Sequence, residues 1–198
     1  DIENIKNLYS SIGFNNADIE VKTKNIDEEK FDILIQIEKG EKTKISSINF
    51  FGNTTVRSSR LRDVIASEED KFWKVITKNT NLSENLIKLD IRLLGNYYKS
   101  IGFYDVKINP NLAQLNKKGN ADLVYSIEEG QRYRINKIST NIDEVFDKKI
   151  FLPLNKIFTK YVGDYYSPFK VKKLLDELDE LIEKNNLQFV EHNVQEEI

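Results

Sequence analysis

Tyr9-Ser10-Ser11-Ile12-Gly13-Phe14 returns as Tyr98-Lys99-Ser100-Ile101-Gly102-Phe103. Ile37-Glu38-Lys39-Gly40-Glu41 returns as Ile127-Glu128-Glu129-Gly130-Gln131. The first pair lies 89 residues apart and the second 90. Two matched motifs at one spacing mark an internal repeat, and each copy of a repeat is one supersecondary unit. A fainter third copy puts Asn186-Leu187 where Gly102-Phe103 would fall. That position closes a helix and leads into a strand, so it needs a left-handed residue. Gly adopts that conformation freely and Asn is next best. Gly13, Gly52, Asn53, Gly102 and Asn186 are the expected turn residues.

Outward from these motifs, the middle copy reads as a complete unit. Ile45-Ser46-Ser47-Ile48-Asn49-Phe50-Phe51 is β-rich, and Gly52-Asn53 ends it as a turn. A short helix follows near Arg57–Ala66, with Leu61, Val64 and Ile65 at helical spacing. Asn81 with Glu84 resembles a capping box and starts a second helix that runs to about Ile101. Leu86, Leu89, Leu93 and Tyr97 form one stripe on it, with Ile87, Ile91, Leu94 and Tyr98 beside them; so wide an apolar face predicts burial on two sides. Val106–Asn109 alternates as a strand, Lys117–Asn120 reads as a hairpin turn, and Ala121–Glu128 is the returning strand.

The fold class is therefore α+β: tandem β-α-α-β-β units, each a three-stranded mixed sheet packed on two helices. Residues 1–43 supply only helix-β-β, 44–131 a complete unit, and 132–198 a β-α-α-β start. In the last copy Ser167 is the expected N-cap and Pro168 the first helical residue. The chain opens on Asp1-Ile2-Glu3 without a secretory leader, which leaves a cytoplasmic protein or a processed chain. Copies that start and stop in mid-unit favour a piece cut from a longer array. The incomplete copies are expected to be less stable than the middle one. The junctions at Glu41–Lys44 and Gln131–Arg134 hold no Gly, Ser or Pro linker, so limited swing is expected there.

Composition excludes several functions. With 30 Lys and Arg against 32 Asp and Glu, the net charge of −2 offers no basic face for nucleic acid. The chain has no Cys and a single histidine, His192. The usual nucleophile–base pairs and thiolate or zinc sites therefore have no residues to build them, and no enzyme activity, metal or cofactor is expected. His192 reads as a surface or edge residue of the last strand. Asp176, Glu177, Asp179, Glu180 and Glu183 read as the solvated face of an amphipathic helix. Phe72-Trp73 is either a plug over the helix pair or an exposed docking patch.

The element order, the strand-Gly-Asn turn, the Tyr-x-x-x-Gly-Phe helix end and the Glu-x-Gly close together resemble POTRA domains. Ile48–Asn53, Ser59–Ile65, Phe72-Trp73, Tyr98–Phe103 and Glu128–Tyr133 resemble a central POTRA domain of an alphaproteobacterial BamA-type assembly protein. The resemblance places the copies in the second to fourth POTRA domains. The last copy departs from it at Thr140-Asn141, where Gly-Asn is expected. It keeps Gly163-Asp164-Tyr165-Tyr166 before its second helix, and its long Val145–Lys160 stretch implies a first helix extended or broken near Pro153.

The resemblance implies a periplasmic location, unfolded outer-membrane β-barrel proteins as substrates, and barrel-assembly lipoproteins and periplasmic chaperones as partners. It also implies a C-terminal membrane barrel beyond these residues. It further implies a first–third–second strand order that leaves the second strand at an edge, about Tyr104–Leu115. Tyr104, Asp105, Val106, Lys107, Ile108 and Asn109 are then the candidates for pairing with an extended substrate. Pro110 breaks the strand pattern and fits equally an edge guarded against pairing. A two-partner secretion transporter arm is the nearby alternative, and a nucleic-acid-binding repeat a distant one.

Overall fold

A computed structural model describes residues 2–26, 31–71, 79–115, 120–187 and 190–197. The elements are α1 (Ile2–Ser11), β1 (Asp18–Asn25), β2 (Phe31–Glu38), β3 (Ile45–Phe51), α2 (Ser58–Val64), α3 (Glu84–Ser100), β4 (Lys107–Leu115), β5 (Ala121–Glu128), α4 (Leu154–Tyr161) and α5 (Pro168–Lys184), with a 3₁₀ turn at Lys148–Phe151. The chain divides into two compact units, Asp1–Tyr97 with Val106–Glu129, and Tyr98–Asp105 with Gly130–Ile198.

The middle copy folds as a mixed sheet in the order β3-β5-β4, with β3 parallel and β4 antiparallel to the central β5. On β5, Ala121, Leu123, Tyr125 and Ile127 are buried and alternate with half-buried residues. The apolar residues of β3 do not alternate so cleanly: Ile45, Ile48 and Phe50 are the buried ones. A bulge between Ile45 and Ser47 absorbs the extra residue and returns Ile48 to the core face. The β4 ladder is irregular opposite the same Ala121–Asp122 step. Leu61 of α2 and Leu94 of α3 are fully buried. Each such leucine stabilises the fold by about 1.5–3 kcal/mol.

The apolar face of α3 is narrower than its sequence suggests. Its fully buried line is Asp90, Leu94 and Tyr98, while Leu86, Leu89, Leu93 and Tyr97 are only half-buried. A carboxylate thus holds a core position.

The first copy is α1 with an antiparallel hairpin in which Ile19 faces Ile37 and Val21 faces Ile35. Ile19 is its one buried strand residue, and every residue of β2 is exposed, including Phe31 at 60% and Leu34 at 60%.

The last copy departs from expectation. Its first strand is reduced to a single bridge between Arg134 and Tyr165, and residues 190–197 form no strand. His192 therefore does not lie in a strand; it sits 2.8 Å from exposed Asp179. The sheet order explains this. First and second strands pair only with the third, and the described residues of 132–198 contain no counterpart of β5. The first copy has second and third strands, which are neighbours, and its hairpin forms. The helices of the last copy do form: α4 begins after Pro153, α5 takes Ser167 as N-cap, and Pro168 stands in its first turn.

The repeat is written in hydrogen bonds as well as in sequence. The Thr43 N–H donates to Gly13 O at 3.1 Å, and the Tyr133 N–H to Gly102 O at 2.8 Å. Leu82 N–H donates to Thr43 O as Tyr166 N–H does to Tyr133 O, and Ile45 N–H to Thr80 O as Ile135 N–H does to Asp164 O. Each clasp lies inside one compact unit. The helix ends match too. Phe14 N–H bonds Tyr9 O, Phe103 N–H bonds Tyr98 O and Leu187 N–H bonds Ile182 O, each at 3.0–3.1 Å, with Gly13, Gly102 and Asn186 at φ of 99°, 104° and 51°. This is the Schellman arrangement, and Asn186 is its one non-glycine member.

Candidate functional site

The two outer edges of the middle sheet differ, and the difference is built from side chains far apart in sequence. At β3, the Ile48 N–H donates to Glu69 Oε1 at 3.0 Å and the Ile48 C=O accepts from Arg62 Nη2 at 2.7 Å. Three residues earlier, Ile45 N–H bonds Thr80 O and Ile45 O accepts from the Asp70 N–H. Residues 66–71 thus run along the β3 edge. Lys71 Nζ lies 2.9 Å from Glu69 Oε2, and Lys44 Nζ 2.9 Å from Asp70. Burial works against the Glu69 charge, but Lys71, the Ile48 N–H and Arg62 outweigh it and hold the carboxyl below its ordinary pKa.

This covering segment is anchored from beneath. Asp90 Oδ1 accepts from the Ala66 and Ser67 N–H groups at 2.7 and 3.1 Å, and Asp90 Oδ2 accepts from the Tyr125 hydroxyl at 2.5 Å. Burial first, then the Asp90 carboxylate, push the Tyr125 hydroxyl far above its ordinary range, so it remains a donor.

Among the described residues, nothing covers the β4 edge in this way. Lys107, Asn109, Pro110 and Asn111 are exposed and Ile108 is half-buried. Among the described residues, no backbone group of β4 bonds outside its ladder with β5. Backbone direction alternates along a strand. Because Ile48 faces away from β5, Asn49 faces toward it, engaging Leu123 and Tyr125; Val124 then faces β4. The register of Val124 with Asn111 points Lys107, Asn109 and Asn111 at β5, and Ile108 and Pro110 outward. Pro110 therefore breaks no bond to β5. It removes one outward donor and leaves its carbonyl available.

Three of the expected edge residues fall outside the strand. Lys107 pairs with Glu128, the last residue of β5, so Tyr104, Asp105 and Val106 have no ladder partner left. Tyr104 packs edge-on against Tyr166 at 5.3 Å, and Asp105 accepts from the Tyr133 hydroxyl at 2.7 Å. Phe72, Trp73 and the Lys117–Gly119 part of the hairpin turn lie outside the described residues. Among the described residues no acidic or histidine cluster could hold a metal, and no helix is long and apolar enough to cross a membrane.

The Gly52-Asn53 turn and Glu129 form one site. Glu129 accepts from Thr54 Oγ1 at 2.7 Å and from the Thr55 N–H at 3.0 Å. Asn53 Nδ2 donates to Val56 O at 2.7 Å. Gly52 has φ +80°, and a Cβ there would lie 2.1 Å from Ile127 O. Arg62, Glu69, Asp90 and Glu129 were not legible as a set. Glu129 was visible in the repeated close of the unit, and Asp90 left a signal as an acid in helical register with Leu94 and Tyr98.

These features define a β-α-α-β-β repeat protein with one covered and one uncovered sheet edge. Residues 43–130 match the family model of POTRA, described as a surface antigen variable number repeat. Over 98% of its length the chain is 25% identical to outer membrane protein assembly factor BamA of Neisseria meningitidis serogroup B, covering 24% of that protein. It is 26% identical over 68% of its length to the BamA of Neorickettsia risticii, covering 18%. Among solved structures, Haemophilus influenzae BamA POTRA3-5 superposes with a TM-score of 0.54 at 15% identity, covering 90% of this chain and 67% of that one. Residues 43–130 carry the POTRA fold, on which the family model and the superposition agree. The chain spans less than a third of the length of the relatives it matches. The alphaproteobacterial origin expected from sequence is weakly supported, by the Neorickettsia match.

Proposed function

We propose that the chain is part of the periplasmic arm of an outer-membrane β-barrel assembly protein, and that the outer edge of β4 receives extended segments of unfolded barrel proteins as an added strand. The arm acts as a binding scaffold rather than an enzyme. It comprises the end of one POTRA domain (1–43), a whole one (44–131) and the start of a third (132–198). Barrel-assembly lipoproteins and periplasmic chaperones are its further partners. The observation that carries this reading is the asymmetry of the sheet: among the described residues Ile108 and Pro110 face outward without cover, while β3 is closed. Backbone pairing is largely blind to side-chain identity, which suits a handler of many precursors. Similarity to the assembly factors of Neisseria meningitidis and Neorickettsia risticii favours this over a secretion transporter arm.

The test uses a synthetic peptide with the alternating apolar and polar residues of a barrel strand. Ile108→Pro removes one outward donor and should weaken peptide binding about tenfold. Ile108→Val controls for side-chain loss. Equal binding by both variants would remove β4 as the docking edge.

A further inference from the structure

We propose that Arg62 and Glu69 are the residues that decide which edge of the middle sheet accepts a strand: their side chains stand in for one rung of a neighbouring strand and close β3. This inference rests on the strand-addition reading, and deepens it by naming what confines a partner to β4.

A strand at a sheet edge offers paired N–H and C=O groups at every second residue. In β3 the outward residues are Ile45, Ile48 and Phe50, the bulge accounting for the wider first step. A neighbouring strand would bring one acceptor and one donor to Ile48. Glu69 Oε1 and Arg62 Nη2 occupy those two places, 3.0 and 2.7 Å from the backbone atoms. The two side chains lie 3.7 Å apart and are further held by Lys71 on Glu69. Ile45 is served by backbone, from Asp70 and Thr80. Only Phe50 follows before the chain turns at Gly52, too short a run for a stable added strand.

Side chains take over at Ile48 because the covering segment is pinned upstream. Asp90 fixes Ala66 and Ser67, and the Glu68 N–H donates to Asn79 O at 3.0 Å. The backbone therefore reaches Ile45 through Asp70, and Glu69 extends the cover one rung further. Arg62, from the last turn of α2, supplies the donor that a carboxylate cannot. A closed β3 and an uncovered β4 give the module one docking direction.

The experiment places the photoreactive residue p-benzoylphenylalanine at Asn49 on β3 or Asn111 on β4 of the whole chain, with the same barrel-strand peptide as probe. In the unaltered background, cross-linking at 111 should exceed that at 49 by about tenfold or more. In the Arg62→Ala, Glu69→Ala background the yield at 49 should rise about tenfold while 111 is unchanged. Equal yields at 49 and 111 without the two substitutions would overturn the proposal. So would a silent 49 in the double variant beside an active 111, which leaves strand addition standing. Reaction at 49 in the double variant with 111 silent throughout would sink strand addition at β4 but keep the closure. No reaction at either place in either background would overturn both. Amide exchange gives a readout free of peptide. The Ile48 amide should be protected in the natural chain and in Glu69→Gln, which keeps an acceptor oxygen. It should exchange at least about tenfold faster in Glu69→Ala, with the Leu123 amide unmoved. A fast Ile48 amide in the natural chain contradicts the closure.

Discussion

Glu129 accepts a hydrogen bond from the Thr54 hydroxyl at 2.7 Å and another from the Thr55 N–H at 3.0 Å, joining positions 74 and 75 residues apart. The carboxylate is buried, and it holds the turn that ends β3 against the end of β5. The Gly52-Asn53 turn and Glu129, which read separately in the sequence, are thus two halves of one clamp. Glu129→Ala should destabilise the middle module by about 1.5–3 kcal/mol, the range for bonds to a charged acceptor. Gly52→Ala should be at least as severe, because its Cβ would meet Ile127 O at 2.1 Å. Urea denaturation followed by circular dichroism measures both, and a change below about 0.5 kcal/mol in either would deny the clamp its role.

Asp90 takes three hydrogen bonds in a fully buried place, one of them from the Tyr125 hydroxyl. Tyr125→Phe removes that donor without opening a large cavity and should cost about 1.5–3 kcal/mol. Asp90→Asn should be milder than Asp90→Ala. The amide oxygen can still accept from Ala66 and Ser67, and its NH₂ can donate to the Tyr125 oxygen. The order of urea midpoints across the three variants checks this.

Glu69 gives the β3 cover a pH dependence of definite sign. Its folded pKa lies below the ordinary 4.5. Its stabilising contribution is therefore complete above about pH 4.5 and is lost as pH falls through the lower folded value. The stability difference between the natural chain and Glu69→Gln should be present near pH 7 and shrink toward zero near pH 2. A difference that grows on acidification would contradict the ion-pair geometry around Lys71 and Arg62.

The incomplete first copy should open far more readily than the middle module. Its β2 is exposed along its whole length, whereas alternate residues of β5 are buried. Hydrogen exchange should protect the Leu123 and Tyr125 amides by about 10³-fold or more over those of Ile33 and Ile35. Uniform protection would mean that the hairpin derives its stability from something other than burial.

The parts of the fold carried by local chemistry were legible in the sequence. Gly13, Gly102 and Asn186 mark helix ends because a left-handed residue is needed within a few residues of each helix. The sheet of the last copy was not legible, because a strand at 133–140 depends on a third strand that the described residues of 132–198 do not supply. Pro110 was visible as a break in pattern, but which bond it removes depends on the register with Tyr125 and Val124. Nothing in the local pattern sets Glu69 and Arg62 apart as a pair. Their meaning lies in Ile48, 21 and 14 residues away.

Pro110→Thr tests the docking edge most directly, because it restores an outward N–H to β4 without touching the ladder to β5. If extended barrel segments pair there, calorimetric titration with the strand peptide should show binding tightened about five- to tenfold. Unchanged or weaker binding by a Pro110→Thr chain that is fully folded would contradict pairing at this edge.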